Sequence, residues 1–217
     1  MNRKTRDKFA SGTDQADLTT GNAVWQTPPA IFAQLNADFG PFDIDLTADK
    51  LRALCATWFG PSSPVGKFDA LSASWLLYGR TGYSNPPYGS FVAAMLACAK
   101  TWAIHDFDST LLLPMRVTKA FRAHVLNGAA DLIFPDKRLT FVENGLPRCS
   151  YDKQGKVRAD PALFDSILVR YQPGHWQRPR LSEWHVPPHV SKADLDRWVA
   201  ANPIEVWRAQ QNAKRVA

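Results

Sequence analysis

The residues best suited to chemistry are Asn85-Pro86-Pro87-Tyr88, which follow a short apolar strand and precede an apolar helical run. An asparagine followed by two prolines fixes hydrogen-bond acceptors in place. The Asn85 amide oxygen and the Pro86 carbonyl can both accept from an NH2 group, favouring a pyramidal nitrogen whose lone pair is free to attack. That is what methyl transfer to a conjugated amino group requires. Tyr88 adds an aromatic face on which a planar base can stack, worth ~1–3 kcal/mol per base. No strong general base is needed, because the proton leaves only as positive charge builds on nitrogen. The alternative is a rigid turn whose prolines only start a helix.

The elements around this turn follow from periodicity. Thr27 before Pro28 reads as an N-cap, and Ile31, Phe32, Leu35 and Phe39 fall at helical spacing until Gly40. Phe42–Leu46 reads as a strand. Leu51, Leu54, Cys55 and Trp58 suggest a helix, followed by a long Ser/Pro/Gly-rich loop over 60–79 that holds Asp69 and Trp75. A strand ending at Ser84, the turn, and a helix over 91–104 come next. Thr110–Leu113 forms another strand and Lys119–Leu126 another helix. Strands alternating with helices imply an α/β fold with a mainly parallel sheet covered on both faces. Ala130–Phe134, Arg138–Val142 and Ser166–Tyr171 read as late strands, with Asn144-Gly145 and Gln154-Gly155 as turns between them. Ser191 should cap a helix to about Ala201, and Pro203 should open a final one. Residues 1–22 read as a flexible arm, 23–172 as the catalytic domain, and 173–217 as a Pro/Trp/Arg-rich segment ending in helices.

Composition narrows the functional classes. The chain has 217 residues, 45% hydrophobic and 21% charged, enough for one sizeable core and too few charges for a disordered chain. It carries 26 Lys+Arg against 20 Asp+Glu. Residues 135–217 hold 14 basic and 9 acidic side chains, so most of the +6 excess lies there. This favours a polyanionic partner on the C-terminal part. Arg148, Lys153, Lys156 and Arg158 surround the Gln154-Gly155 turn, and Arg178 and Arg180 interleave with Trp176 and Trp184. Such side chains could hold phosphates. Three separated cysteines and five scattered histidines show no disulfide or zinc spacing, so no metal is expected. No apolar run is long enough for a membrane span, and a cytoplasmic location is expected. No GxSxG or GxxxxGK[ST] motif points to a hydrolase or a nucleoside triphosphatase.

From Trp25 to Tyr171 the chain resembles the phage-type DNA N6-adenine methyltransferases, small enzymes encoded by bacteriophages and prophages. Besides the Asn-Pro-Pro-Tyr turn, the matching pieces are Trp25-Gln26-Thr27-Pro28, Phe42-Asp43-Ile44-Asp45-Leu46-Thr47-Ala48, and Ala53-Leu54-Cys55 leading to Trp58-Phe59. Asp69-Ala70-Leu71 leading to Trp75 and Arg138-Leu139-Thr140-Phe141 complete the set. The resemblance implies a Rossmann-like methyltransferase fold with a late antiparallel strand and a small helical C-terminal extension. It implies S-adenosylmethionine (SAM) as cofactor and an adenine flipped from duplex DNA as acceptor. Asn85, Pro86, Pro87 and Tyr88 become the catalytic residues. Trp25, Thr27 and Pro28 would lie beside the methionine end of the cofactor, Asp43 and Asp45 on the first strand, and Asp69 near the cofactor adenine. The chain departs from the broader methyltransferase pattern in having no GxG after Asp45. Cytosine N4, guanine N2 in RNA or a protein glutamine could be the acceptor instead, and a binding protein without turnover is a further alternative. The resembling core leaves no block for a separate recognition domain. Target reading is therefore expected from 143–165, the tail and the arm, with a short or relaxed target site.

Overall fold

A computed structural model describes residues 25–66, 69–128, 130–174 and 179–216. Arg178, Trp176 and the 1–22 arm lie outside the described residues. Helix α1 spans Pro29–Phe39, and strands β1 and β2 are Ile44–Asp45 and Thr57–Trp58. Strand β3 is Thr81–Ser84, followed by helix α2, Ser90–Ile104. Strand β4 is Asp108–Pro114. Helix α3, Lys119–Phe121, runs on into a π-helical turn, Arg122–Leu126. Strand β5, Ala130–Pro135, precedes two small hairpins, β6–β7 (Val142–Glu143, Leu146–Pro147) and β8–β9 (Cys149–Tyr151, Val157–Ala159). Strands β10 and β11 are Ser166–Tyr171 and Leu181–Trp184. Helices α4 and α5 are Lys192–Ala201 and Ile204–Val216.

The central sheet has seven strands in the order β11-β5-β10-β4-β3-β1-β2. Only β10 runs against the others, pairing antiparallel with both β4 and β5. Alternation along the strands builds two cores, because successive side chains point to opposite faces. Leu111, Leu113, Leu132, Ile167 and Val169 face α2 and α3, packing against Met95, Leu96, Ala99 and Phe121. Tyr83, Leu112, Ile133 and Leu168 face α1, meeting Ile31 and Leu35. The mostly parallel α/β architecture expected from the sequence is therefore present, with helices on both faces.

β1 leads to β2 on one side and to β3 on the other, so the chain changes direction across the sheet between β1 and β3. In open α/β sheets such a crossing leaves a crevice outside the carboxyl ends of the strands. Asp45 ends β1 and Ser84 ends β3. The two exits are tied by Leu46 N–H donating to the Tyr83 carbonyl at 2.7 Å and by a Thr47–Ser84 hydroxyl contact of 2.6 Å.

Four local expectations are corrected. Leu51–Trp58 is not a helix. Asp49 folds a turn by accepting from Leu51 N–H, Asp45 accepts from Leu54 N–H, and Thr57–Trp58 pairs with β1. Thr27 does not cap α1, since the N-cap is Pro28 and its carbonyl accepts from Phe32 N–H. Of Arg138–Val142 only Val142 lies in a strand, where Asn144 and Gly145, both at positive φ, close the β6–β7 hairpin. The segment after Pro173 supplies β11, which pairs parallel with β5 and makes this stretch part of the central sheet. Ser191 does cap α4, with a reciprocal Ser191–Asp194 capping box. Helices α4 and α5 brace the β8–β9 hairpin: Tyr151 sits against Trp198 and Trp207 and donates to the Asn202 carbonyl at 2.7 Å.

Candidate active site

The Asn-Pro-Pro-Tyr turn leaves β3 at the β1/β3 crevice, and α2 begins two residues after Tyr88. Gly89, at φ +119°, makes the bend, a conformation that a side chain would strain. Asn85 Nδ2 donates to the Trp25 carbonyl at 3.0 Å. This bond fixes the amide orientation, so the carboxamide oxygen is the end presented as an acceptor. Trp25 is itself held by the neighbouring bridge, in which Gln26 and Val142 exchange both backbone hydrogen bonds at 2.9 Å.

An aromatic brace surrounds this contact. The Trp25 ring stacks with Phe141 at 5.6 Å and with Phe164 at 5.3 Å, and Arg148 lies 4.5 Å from its centroid. Tyr88 meets Phe164 edge to face at 5.6 Å. Burial raises the Tyr88 phenol well above its ordinary range, so it stays neutral. Its buried hydroxyl finds no hydrogen-bond partner among the described residues. Phe164 and Tyr83 carry no local sequence signal for this role; only their distant partners reveal it.

Thr27 is buried, and its hydroxyl lies 2.7 Å from the Tyr83 hydroxyl. This bond ties the segment before α1 to β3, with Pro28 buried beside it. Asp45 is 3% exposed, and burial pushes its carboxyl up to about 6. Backbone N–H groups of Leu54 and Thr47 oppose that rise at 3.1 and 3.3 Å. A carboxylate so placed gains strongly from a cationic or hydroxyl-rich ligand. The neighbouring Cys55 thiol is also pushed up, to about 12, by burial and then by Asp45 and Asp43, so it is no nucleophile. Asp69 lies on the long loop, where its carboxylate accepts from Leu71 N–H at 3.0 Å and its carbonyl accepts from Ser72 and Ala73.

Two expected site residues lie elsewhere. Asp43 accepts from Arg80 N–H, Thr81 N–H and the Thr81 hydroxyl, closing the entry into β3 at the amino end of the strands. Arg180 grips Asp131 with two bonds of 2.7 and 2.6 Å and also binds Gln172. Asp131 lies one residue into β5 and Arg180 immediately precedes β11, so this pair too sits at the amino end, away from the turn. Arg148 stands over Trp25 and 3.8 Å from Asp160, at the base of the β8–β9 hairpin. Lys153, Lys156 and Arg158 are exposed on that hairpin. Among the described residues no group of three or more His, Cys, Asp or Glu could hold a metal. No helix among them is long and apolar enough to cross a membrane.

Comparison with known proteins gives this geometry a context. A relative from Escherichia coli (strain K12), named "Putative methyltransferase YfdM", is 36% identical over 69 residues, covering 30% of this chain and 69% of the relative. The family described as DNA N-6-adenine-methyltransferase (Dam) matches residues 16–169, well over half of the 217-residue chain and including the turn, Asp45 and the aromatic brace. The chain belongs to the DNA N-6-adenine-methyltransferase (Dam) family.

Proposed function

We propose that this protein transfers a methyl group from SAM to the exocyclic N6 of adenine in DNA, after the adenine has left the helix stack. The carrying observation is the Asn85 amide, whose donor end is engaged by the Trp25 carbonyl at 3.0 Å while its acceptor end remains for a substrate. An amide held this way suits an amino group that must donate and suits an unprotonated, accepting ring nitrogen poorly.

The residues at the β1 and β3 exits fit the cofactor. Asp45 is a buried carboxylate whose proton affinity is raised by desolvation, the behaviour of a group that gains from a cationic or diol partner. Tyr88 holds a buried hydroxyl that has no partner among the described residues. Asp45 would hold the polar part of SAM, Asp69 its adenine, and Thr27 and Pro28 would wall the methionine end. Asp43 is left out, because its carboxylate is committed to the entry of β3. When bound, SAM supplies an electrophilic methyl group on a sulfonium.

The chain's own residues do the rest. Asn85 Oδ1 and the Pro86 carbonyl accept the two N–H groups of the adenine amine, which localises the nitrogen lone pair. Tyr88 offers its ring to the base, and the Trp25–Phe164 brace keeps the turn from shifting. The proton released from N6 passes to water as the positive charge on nitrogen is lost. Exposed Lys153, Lys156 and Arg158 on the β8–β9 hairpin meet phosphates. Arg178 belongs to the same basic segment in sequence, and Arg180 is omitted because Asp131 occupies it. The domain reading is a methyltransferase unit over 23–172, completed by β11 from the following segment.

Incubation of the protein with unmethylated DNA and SAM, followed by nucleoside mass spectrometry, should yield N6-methyladenine. N85A should lose turnover while still binding SAM. Label in RNA, protein or cytosine, with none in adenine, would overturn the acceptor assignment, and SAM binding without any transfer would overturn catalysis.

A further inference from the structure

Beside the turn lies an apolar ridge that the chemistry does not use. Strand β4 pairs parallel with β3, so the loop after β4 emerges next to Asn85. Strand β10 runs antiparallel, with Ser166 opposite Pro114, so the loop entering β10 meets the loop leaving β4. The two are fastened where Met115 N–H donates to the Asp165 carbonyl at 2.8 Å. From this junction Leu163 projects 81% exposed, Val117 52% and Met115 48%. Phe164, between Leu163 and Asp165, touches Tyr88 at 5.6 Å. The ridge therefore borders the proposed adenine site.

Apolar side chains this exposed are a cost in water and a gain inside a base stack. Charge around them suits the same partner. Arg116, Lys119 and Arg122 are exposed beside the ridge, and no carboxylate among the described residues pairs with them. Asp165, at the junction itself, is covered by Arg138 Nε at 2.8 Å. The loop after β4 is also held by its own hydrogen bonds. Thr118 N–H donates to the Arg116 carbonyl at 2.9 Å, and its hydroxyl accepts from Phe121 N–H at 3.1 Å. An exposed apolar tip beside cations that no described carboxylate pairs matches duplex DNA, with phosphates at the rim and stacked bases at the centre.

We infer that Leu163, supported by Met115 and Val117, is a wedge that enters duplex DNA at the target base pair and occupies the space the adenine leaves. Arg116, Lys119 and Arg122 hold the flanking phosphates. This rests on the reading of the protein as a base-flipping adenine methyltransferase. A wedge matters only where a paired base must be extracted, so its removal should spare substrates that are already open.

The test compares L163A with wild type on a duplex and on the same strand carrying a mismatch opposite the target adenine. kcat/KM should fall on the order of tenfold or more on the duplex and stay within about twofold on the mismatch. L163M should restore duplex turnover, and SAM binding should be unchanged throughout. Equal activity of L163A and wild type on the duplex would overturn the wedge and leave adenine methylation standing. Equal losses on both substrates would also overturn it, by marking a general defect. Wild-type protein that methylates neither substrate would overturn the underlying reading and the wedge with it.

Discussion

Asp45 offers the sharpest physical prediction. Its carboxyl is fully enclosed at the end of β1 and is pushed from 3.8 up to about 6, chiefly by desolvation. Between these values the folded protein holds a proton that the unfolded chain has lost. Stability must therefore fall as pH rises from about 4 to about 6 and then level off. The size follows from the shift: about two pH units at ~1.4 kcal/mol each gives roughly 3 kcal/mol as an upper figure. Asp45→Asn removes the titration. It also forfeits one of two accepted backbone bonds, from Thr47 or Leu54, at about 1 kcal/mol. The variant should thus be about 1 kcal/mol less stable than wild type near pH 4 and about 1–2 kcal/mol more stable near pH 7.5. Urea unfolding across this range reads the difference directly. The same substitution should weaken SAM binding about 10–100-fold at pH 7.5, through loss of a charge-assisted hydrogen bond. Wild-type affinity should decline below pH 6 as protons compete for Asp45, whereas the variant's should stay flat. Parallel stability curves for the two proteins between pH 4 and 6 would refute the buried-carboxylate reasoning. A stability crossover with unchanged SAM affinity would keep the electrostatics and remove Asp45 from the cofactor site.

Other outcomes follow from the same contacts. Tyr83→Phe removes the 2.7 Å bond to Thr27 and leaves that buried hydroxyl without its partner, which should cost about 1–2 kcal/mol in urea unfolding; no measurable loss would show the bond to be idle. Replacing Lys153, Lys156 and Arg158 together by Gln should lower the salt dependence of DNA binding by about 2–3 in the log–log slope, whereas Arg180→Gln should leave the slope unchanged. A slope that responds only to Arg180 would place the DNA on the opposite edge of the sheet. Arg148→Met removes the cation from Trp25 at about 0.5–1 kcal/mol, so turnover should drop severalfold with little change in SAM affinity; full activity would show that the cation is not needed for Asn85 alignment.

What the sequence revealed and what it concealed separate along physical lines. The Asn-Pro-Pro-Tyr turn was legible because two prolines between a strand and a helix allow few backbone paths, and α1 because Ile31 and Leu35 repeat at the helical period and are both fully buried. The same periodicity misled at Leu51, Leu54, Cys55 and Trp58. Leu51 is 93% exposed, so its spacing described no core face, and the Asp49 turn and the Asp45–Leu54 bond hold the backbone instead. β11 escaped because it is an edge strand, exposed at Leu181, Ser182 and Glu183 and buried only at Trp184. Asp43 and Asp45, two residues apart, look equivalent as sequence. The fold separates them: one is exposed and committed to the entry of β3, the other enclosed at the exit of β1. Arg148 and Arg180 divide similarly, since the contacts that distinguish them, Trp25 under one and Asp131 on the other, come from far along the chain and no local pattern encodes them.

Under the proposed function, the Trp25 brace couples the Asn-Pro-Pro-Tyr turn to the parts that would meet DNA. One residue's carbonyl orients the Asn85 amide, while its ring carries Arg148 at the base of the basic hairpin and stacks on Phe164, the neighbour of the Leu163 ridge. The parts proposed for catalysis, phosphate contact and duplex entry thus meet on one packed aromatic group. Rigid attachment of this kind removes the ordering cost that a tethered domain would add on binding. It also limits reach: a hairpin braced by α4 and α5 and a ridge fixed by the Met115–Asp165 bond can touch only the base pairs near the turn. Under the proposed function, few base pairs within reach favour a short target site.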